Sequence, residues 1–186
     1  MLRVFYGAGD LSRIEIRGPY KVGFKSYFVK KTSCAVSVFY PMDKSWPAPA
    51  SEMKLFPYGM EGVTALTRAD AYVKGMAFAW PARLFGLFAT QIVLPVCSAG
   101  PLAEDFLDGK KKLVPIVFSH GLTASRALYT THCRELAACG YIVFSLDHHD
   151  GSCHYTEDAE ENPIIFDTEP SERVVDGNFN EVYVKV

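Results

Sequence analysis

Excess charge of either sign is missing from this chain of 186 residues, in which 19 Lys plus Arg stand against 21 Asp plus Glu for a formal net charge of −2. A dedicated nucleic-acid binder needs a surplus of cations on one face to meet phosphates, so no nucleic-acid partner is expected. Cysteine is scarce and odd in number: Cys34, Cys97, Cys133, Cys139 and Cys153 follow no regular spacing. That argues against a disulfide framework and for small, reduced, buried thiols. No secretory leader is expected either, because the opening MLRVFYGAGD includes Asp10 and no apolar core of sufficient length. A cytoplasmic protein is expected. What is abundant is apolar: 49% hydrophobic and 13% aromatic residues against 22% charged. Chains of this size bury roughly 70% of the surface they expose when unfolded, and disordered chains lack such a composition. The reading is one folded domain.

Charge is unevenly laid out even though it cancels. Residues 1–31 carry seven basic side chains against Asp10 and Glu15, and residues 141–186 carry eleven acidic ones against Arg173 and Lys185. Opposed ends attract, but solvated faces of one domain account for the pattern.

The first third reads as strands. Val22–Val29 and Ala35–Tyr40 place β-branched and aromatic residues at strand spacing, with Pro41 as the stop. Residues 41–62, with four prolines and two glycines, read as a long surface connection. Residues 71–97 are the most apolar stretch, and Leu84–Ala103 is 20 residues without a charge, long enough for a membrane span. Pro81, Gly86, Gln91, Pro95, Ser98, Gly100 and Pro101 break the run, so a buried helix or one lying on a membrane surface is expected instead.

A βαβ unit is legible downstream. Leu113–Phe118 is a continuous apolar run of the kind buried on both faces, and Leu128, Tyr129, Cys133, Leu136 and Ala137 form a helical stripe. Gly140 supplies a left-handed stop, and Tyr141–Leu146 is a second apolar strand. Strand, helix and strand within so short a span imply parallel pairing and an α/β class. After Asp150 the chain turns acidic, and residues 155–186 read as a flexible rim loop or a disordered tail.

Ligands gather at the carboxyl ends of parallel strands, where Ser119-His120-Gly121-Leu122 falls. There a backbone N–H can donate to a developing oxyanion without reorganising. On local sequence alone, a structural histidine and an ordinary glycine turn are the favoured explanation of the motif. A metal is not expected: His148, His149, Asp150, Cys153 and His154 cluster without the spacing of a closed tetrahedral site. No cofactor is expected either. Neither Cys139 nor Cys153 shows the setting of an activated thiolate.

The segment FSHGLTASRALY at 118–129, followed by GYIV at 140–143 and DHHDGS at 147–152, resembles the platelet-activating factor acetylhydrolase family, whose pattern reads FSHGLGASRTLYS, HGFVV and EHRDGSA. Pro19–Phe24, Val38–Pro41 and Arg83–Gly86 are similar to further family segments, so the likeness runs over most of 19–152. The resemblance implies a partial α/β-hydrolase fold with a mainly parallel sheet, flanking helices and a β-rich N-terminal segment. It also implies calcium-independent hydrolysis of short or oxidised sn-2 acyl esters of phospholipids. By the same resemblance the backbone N–H of Leu122 forms half of an oxyanion hole, while His120 and Gly121 shape the turn and Arg126 and Tyr129 hold it to the following helix. Met76, Phe78, Trp80, Leu84, Phe85 and Phe88 fall on the family's interfacial helix, which implies peripheral contact with a membrane.

The departure from the family is mechanistic. No serine of the chain lies in the G-x-S-x-G elbow that a serine hydrolase needs, with an acid and a histidine to follow. The expectation is an incomplete hydrolase domain spanning 1–186, inactive alone, with the nucleophile in chain that follows. The other class is a non-catalytic module that binds a lipid surface. Sequence does not fix the oligomeric state.

Overall fold

The computed structural model describes residues 16–30, 34–46, 50–73, 86–87, 89–98, 100–167, 171–175 and 181–185. Among the described residues ten strands and three helices follow one another. These are β1 (Lys21–Val29), β2 (Cys34–Met42), β3 (Ala50–Lys54), α1 (Gly59–Val73), β4 (Val93–Ser98), α2 (Glu104–Leu107), β5 (Val114–Ser119), α3 (Thr130–Ala138), β6 (Tyr141–Leu146), β7 (Tyr155–Glu157), β8 (Pro163–Ile165), β9 (Ser171–Val175) and β10 (Glu181–Lys185). Six strands form one sheet in the order β3-β4-β1-β2-β6-β5.

The α/β class holds, and the sheet is mixed. β1 with β4 and β5 with β6 run parallel, whereas β1–β2, β2–β6 and β3–β4 run antiparallel. The expected predominance of parallel pairing is not met: two of the five pairings are parallel, one of them the βαβ unit. A short connection between β1 and β2 permits a hairpin, while β5 and β6 need the α3 crossover.

The period of two along β2 sorts its side chains. Phe39 faces α3 and packs with Val22, Ala137, Ala138 and Val143, while Val38, Tyr40 and Met42 face the opposite side with Ile142 and Phe144. Phe39 is fully buried, worth about 2–3 kcal/mol of apolar burial. Gly23 on β1 leaves room for the Tyr40 ring, since a Cβ there would stand 2.4 Å from it, and the Tyr40 hydroxyl donates to the Gly100 carbonyl at 2.7 Å. Pro41 does not stop β2, because β6 pairs only with Val36–Phe39 and no ladder there requires its N–H.

Three further expectations change. The connection over 41–62 contains β3 and the start of α1, which polar composition concealed. The run over 113–118 does not lie buried on both faces: β5 ends the sheet order, with Val117 69% exposed. The acidic segment after Asp150 is not a loose loop throughout. β7 pairs with β8, Tyr155 and Thr156 are buried, and Asp158 closes the turn by accepting the N–H groups of Glu160 and Asn162. The interfacial residues Met76, Phe78, Trp80, Leu84, Phe85 and Phe88 lie outside the described residues. Among the described residues no helix is long and apolar enough to cross a membrane.

Candidate functional site

β5 and β6 end level with one another, Ser119 opposite Leu146, so the turn 120–125 and the loop 147–154 leave the same end of the sheet. His120 is buried between them. Its Nε2 accepts the backbone N–H of His148 at 3.1 Å, so Nδ1 carries the proton and donates to the Gly121 carbonyl at 2.9 Å. Burial depresses the His120 pKa, with the Gly121 contact opposing it, and favours this neutral tautomer. The His120 and His148 rings stack with centroids 3.9 Å apart.

His148 bridges two serines. Its Nε2 lies 2.7 Å from Ser119 Oγ and its Nδ1 lies 2.8 Å from Ser152 Oγ. Ser152 in turn receives the Thr123 N–H on its carbonyl at 2.8 Å and donates its own N–H to Asp150. On the far side His154 donates its backbone N–H to the Ala124 carbonyl and its Nδ1–H to the Thr123 carbonyl at 3.2 Å. Burial pushes His154 down to about 4, so it is neutral near pH 7.

The turn is thus held on both flanks, and the N–H groups of Gly121 and Leu122 are left over among the described residues. The N–H of Thr123 goes to Ser152 and that of Ala124 goes to Gly121, whereas the N–H of Leu122 meets no acceptor among the described residues. Leu122 is 62% exposed. Thr123 sits at φ 61°, the left-handed region, where the family pattern carries glycine.

Arg126 and Tyr129 lie behind this turn. Tyr129 rests against it: a Cβ on Gly121 would stand 3.1 Å from the Tyr129 hydroxyl, and the Tyr129 ring packs on Phe118. Arg126 is buried and reaches three elements, pairing with Asp147 after β6, donating to Ser37 Oγ on β2 at 3.2 Å and to the Tyr58 hydroxyl before α1 at 3.4 Å. Asp147 is fully buried and took no role in the sequence reading. Its signal was the family's acidic residue at that place in the pattern. His149, where the family has Arg, lies 3.5 Å from the Thr156 hydroxyl.

His120, Asp147 and Cys153 bring potential metal-ligating atoms within 4.8 Å of one another. Every one of these atoms is already engaged. Asp147 binds Arg126, His120 is committed at both nitrogens, and the Cys153 thiol, pushed up to about 11 by burial, donates to the Tyr155 carbonyl. A thiol held protonated is a poor metal ligand.

What the arrangement offers chemically is a preset N–H donor at the carboxyl end of a parallel strand pair. Comparison with known proteins gives it a context. A putative phospholipase A2 of Schizosaccharomyces pombe is 29% identical over 133 residues, covering 72% of this chain and 28% of the relative. The platelet-activating factor acetylhydrolase of Gallus gallus is 33% identical over 95 residues, and that of Cavia porcellus 28% over 152, covering 51% and 76% of this chain and 21% and 30% of the relatives. The chain therefore spans less than a third of the length of these relatives. A ferulic acid esterase from Streptomyces cinnamoneus superposes with a TM-score of 0.48 at 14% identity, over 84% of this chain and 41% of that one, too loose a likeness to assign anything by. The pattern of the family described as Platelet-activating factor acetylhydrolase, isoform II, runs from residue 8 to 176 and takes in the whole turn from Ser119 to Arg126 together with its Asp147–Ser152 flank. By that match this chain belongs to the platelet-activating factor acetylhydrolase isoform II family.

Proposed function

We propose that the turn at Leu122 is the oxyanion side of a carboxylic ester hydrolase that cleaves short or oxidised sn-2 acyl groups from phospholipids, without calcium and in peripheral contact with a lipid surface. The observation that carries this reading is the Leu122 N–H, which has no acceptor among the described residues although the N–H groups of Thr123 and Ala124 after it are both engaged. When a nucleophile adds to an ester carbonyl, negative charge appears on the former carbonyl oxygen, and a donor already in place stabilises it without rearrangement. One such donor is worth about 10²–10³ in kcat.

The nucleophile is a separate matter. Ser119 lies within reach of His148, but the other imidazole nitrogen meets the Ser152 hydroxyl and not a carboxylate, so the direct acid–imidazole bond of a triad is missing and Asp150 stands behind Ser152. We read Ser119–His148–Ser152 as a tie across the turn and expect the 186-residue chain to be inactive alone, since it lacks a G-x-S-x-G elbow.

Fluorophosphonate labelling of the purified chain, beside hydrolysis of a short-chain sn-2 phospholipid analogue, tests this directly. The expected result is a folded chain with neither labelling nor turnover. Stoichiometric labelling at Ser119 with turnover would overturn the inactive reading. In a longer family protein carrying this turn, replacing the Leu122 equivalent by proline should cost about 10²–10³ in kcat while alanine costs little, because only proline removes the N–H. Equal losses for both would remove the oxyanion role.

A further inference from the structure

A groove of about 1020 Å³ opens between α1 and the β7–β8 hairpin. Its walls are largely apolar: Met60 and Ala65 from the helix, Leu87, and Pro163, Ile165 and Phe166 from the hairpin. Met60, Leu87 and Ile165 are more than a third exposed, a patch of large hydrophobic side chains of the kind that marks a binding surface. Helical spacing builds the wall. Met60, Thr64 and Arg68 fall at i, i+4 and i+8, and Ala65 keeps the floor between them low.

Two charges line the groove, and only one is engaged. Glu61 accepts the Tyr155 hydroxyl at 3.0 Å. Arg68, about 12 Å farther along the helix than Met60, is exposed and meets no carboxylate among the described residues. At the floor is His154, whose backbone and ring donate to the Ala124 and Thr123 carbonyls and so join the groove to the Leu122 turn.

We propose that this groove holds one phospholipid molecule, its phosphate at Arg68 and one acyl chain against Met60, Leu87, Ile165 and Phe166. The proposal rests on the phospholipid reading above and gives that reading a place for the parts of the molecule that do not react. A long apolar wall with one unpaired cation complements an anionic head on an apolar tail. A second copy of the chain is the competing occupant, and the test separates the two.

The test is saturable binding of a lysophosphatidylcholine carrying an environment-sensitive fluorophore at its chain end, below its micelle concentration, to the intact chain. One molecule should bind per chain. Arg68→Glu should weaken binding at least tenfold and Arg68→Lys much less, while Ala65→Trp, which fills the groove, should abolish it. Ile165→Glu, at a position 57% exposed and so tolerant of charge, should also weaken binding tenfold without loss of circular dichroism. A fatty alcohol of equal length, lacking phosphate, should bind wild type no better than the phospholipid binds Arg68→Glu. Absence of saturable binding, or binding indifferent to both Ala65→Trp and Ile165→Glu, would overturn the proposal. So would a dimer in sedimentation that Ala65→Trp dissociates, since the occupant would then be a second copy. The readout is binding without hydrolysis, so failure here removes the groove and leaves the ester-hydrolase reading to its own labelling test.

Discussion

The carboxylate of Asp147 receives Arg126 twice, from the backbone N–H at 2.7 Å on Oδ1 and from the guanidinium on Oδ2, with the acid fully buried. One residue pair thereby locks the end of β6 to the turn that carries Leu122. Because the guanidinium also reaches Ser37 and Tyr58, the same pair secures β2 and the approach to α1.

Breaking that pair on one side should be costly. Arg126→Ala leaves a buried carboxylate without its counter-ion, which removes about 3–5 kcal/mol. Urea denaturation should register it as a fall in midpoint. Pairing Arg126→Met with Asp147→Asn should cost less than Arg126→Ala alone, because no charge is then stranded, and a larger loss for the double variant would show that the pair is not the source of the effect.

His154 gives the chain a pH dependence of known sign. Its pKa falls from 6.5 to about 4 on folding, so below pH 6.5 the unfolded chain takes up a proton that the folded chain refuses. Its contribution is complete above pH 6.5 and is lost as pH falls to about 4, on the order of 3 kcal/mol in all. Denaturation midpoints at pH 7.5 and 4.5 should therefore converge in His154→Gln relative to wild type. An identical pH slope in the two proteins would place the dependence elsewhere.

Thr123 occupies a left-handed backbone conformation that a β-branched residue adopts at a cost of about 1–2 kcal/mol. Glycine relieves that strain and loses about 0.5–1 kcal/mol to the greater freedom of its unfolded chain. Thr123→Gly should thus stabilise the protein by up to about 1 kcal/mol, read as a rise in thermal midpoint. Destabilisation would mean that the threonine side chain supports the turn in its own right.

The outer strand β5 presents Val117 at 69% and Val114 at 47% exposure beside an edge with no partner among the described strands. Such an edge is a template for pairing with other chains. Val117→Lys should shift the chain toward smaller species in light scattering at fixed concentration while changing stability by no more than about 0.5 kcal/mol. Unchanged scattering would place self-association elsewhere.

The central elements were legible because several signals agreed. Leu113–Phe118 and Tyr141–Leu146 are apolar enough to be strands in any setting, and Gly140, at φ 105°, ends α3 as its left-handed stop. Elements with half-polar surfaces were not legible. β3 is five residues at the sheet edge, and α1 exposes Glu61 and Arg68 beside a groove, so neither carries a clean apolar period. The turn at Leu122 was visible through its motif. The acid that fixes it was not, because Asp147 gains meaning only when β6 delivers it beneath Arg126, a residue 21 positions earlier.

The antiparallel seam between β2 and β6 has a consequence for how the chain reaches this structure. β1 with β2, and β5 with β6, each assemble from neighbours in sequence, but the seam joins them across a separation like that of the Cys34 thiol and the Asp147 carbonyl, 113 residues apart. Closing so long a loop yields no reward until both partners are in place, which makes the seam the slow step of folding. Once formed it holds the fully buried Phe39 and Val143, so it should be among the last places to open. Amides of Val36–Phe39 that pair with β6 should then exchange with solvent more slowly than those of the outer strand β5.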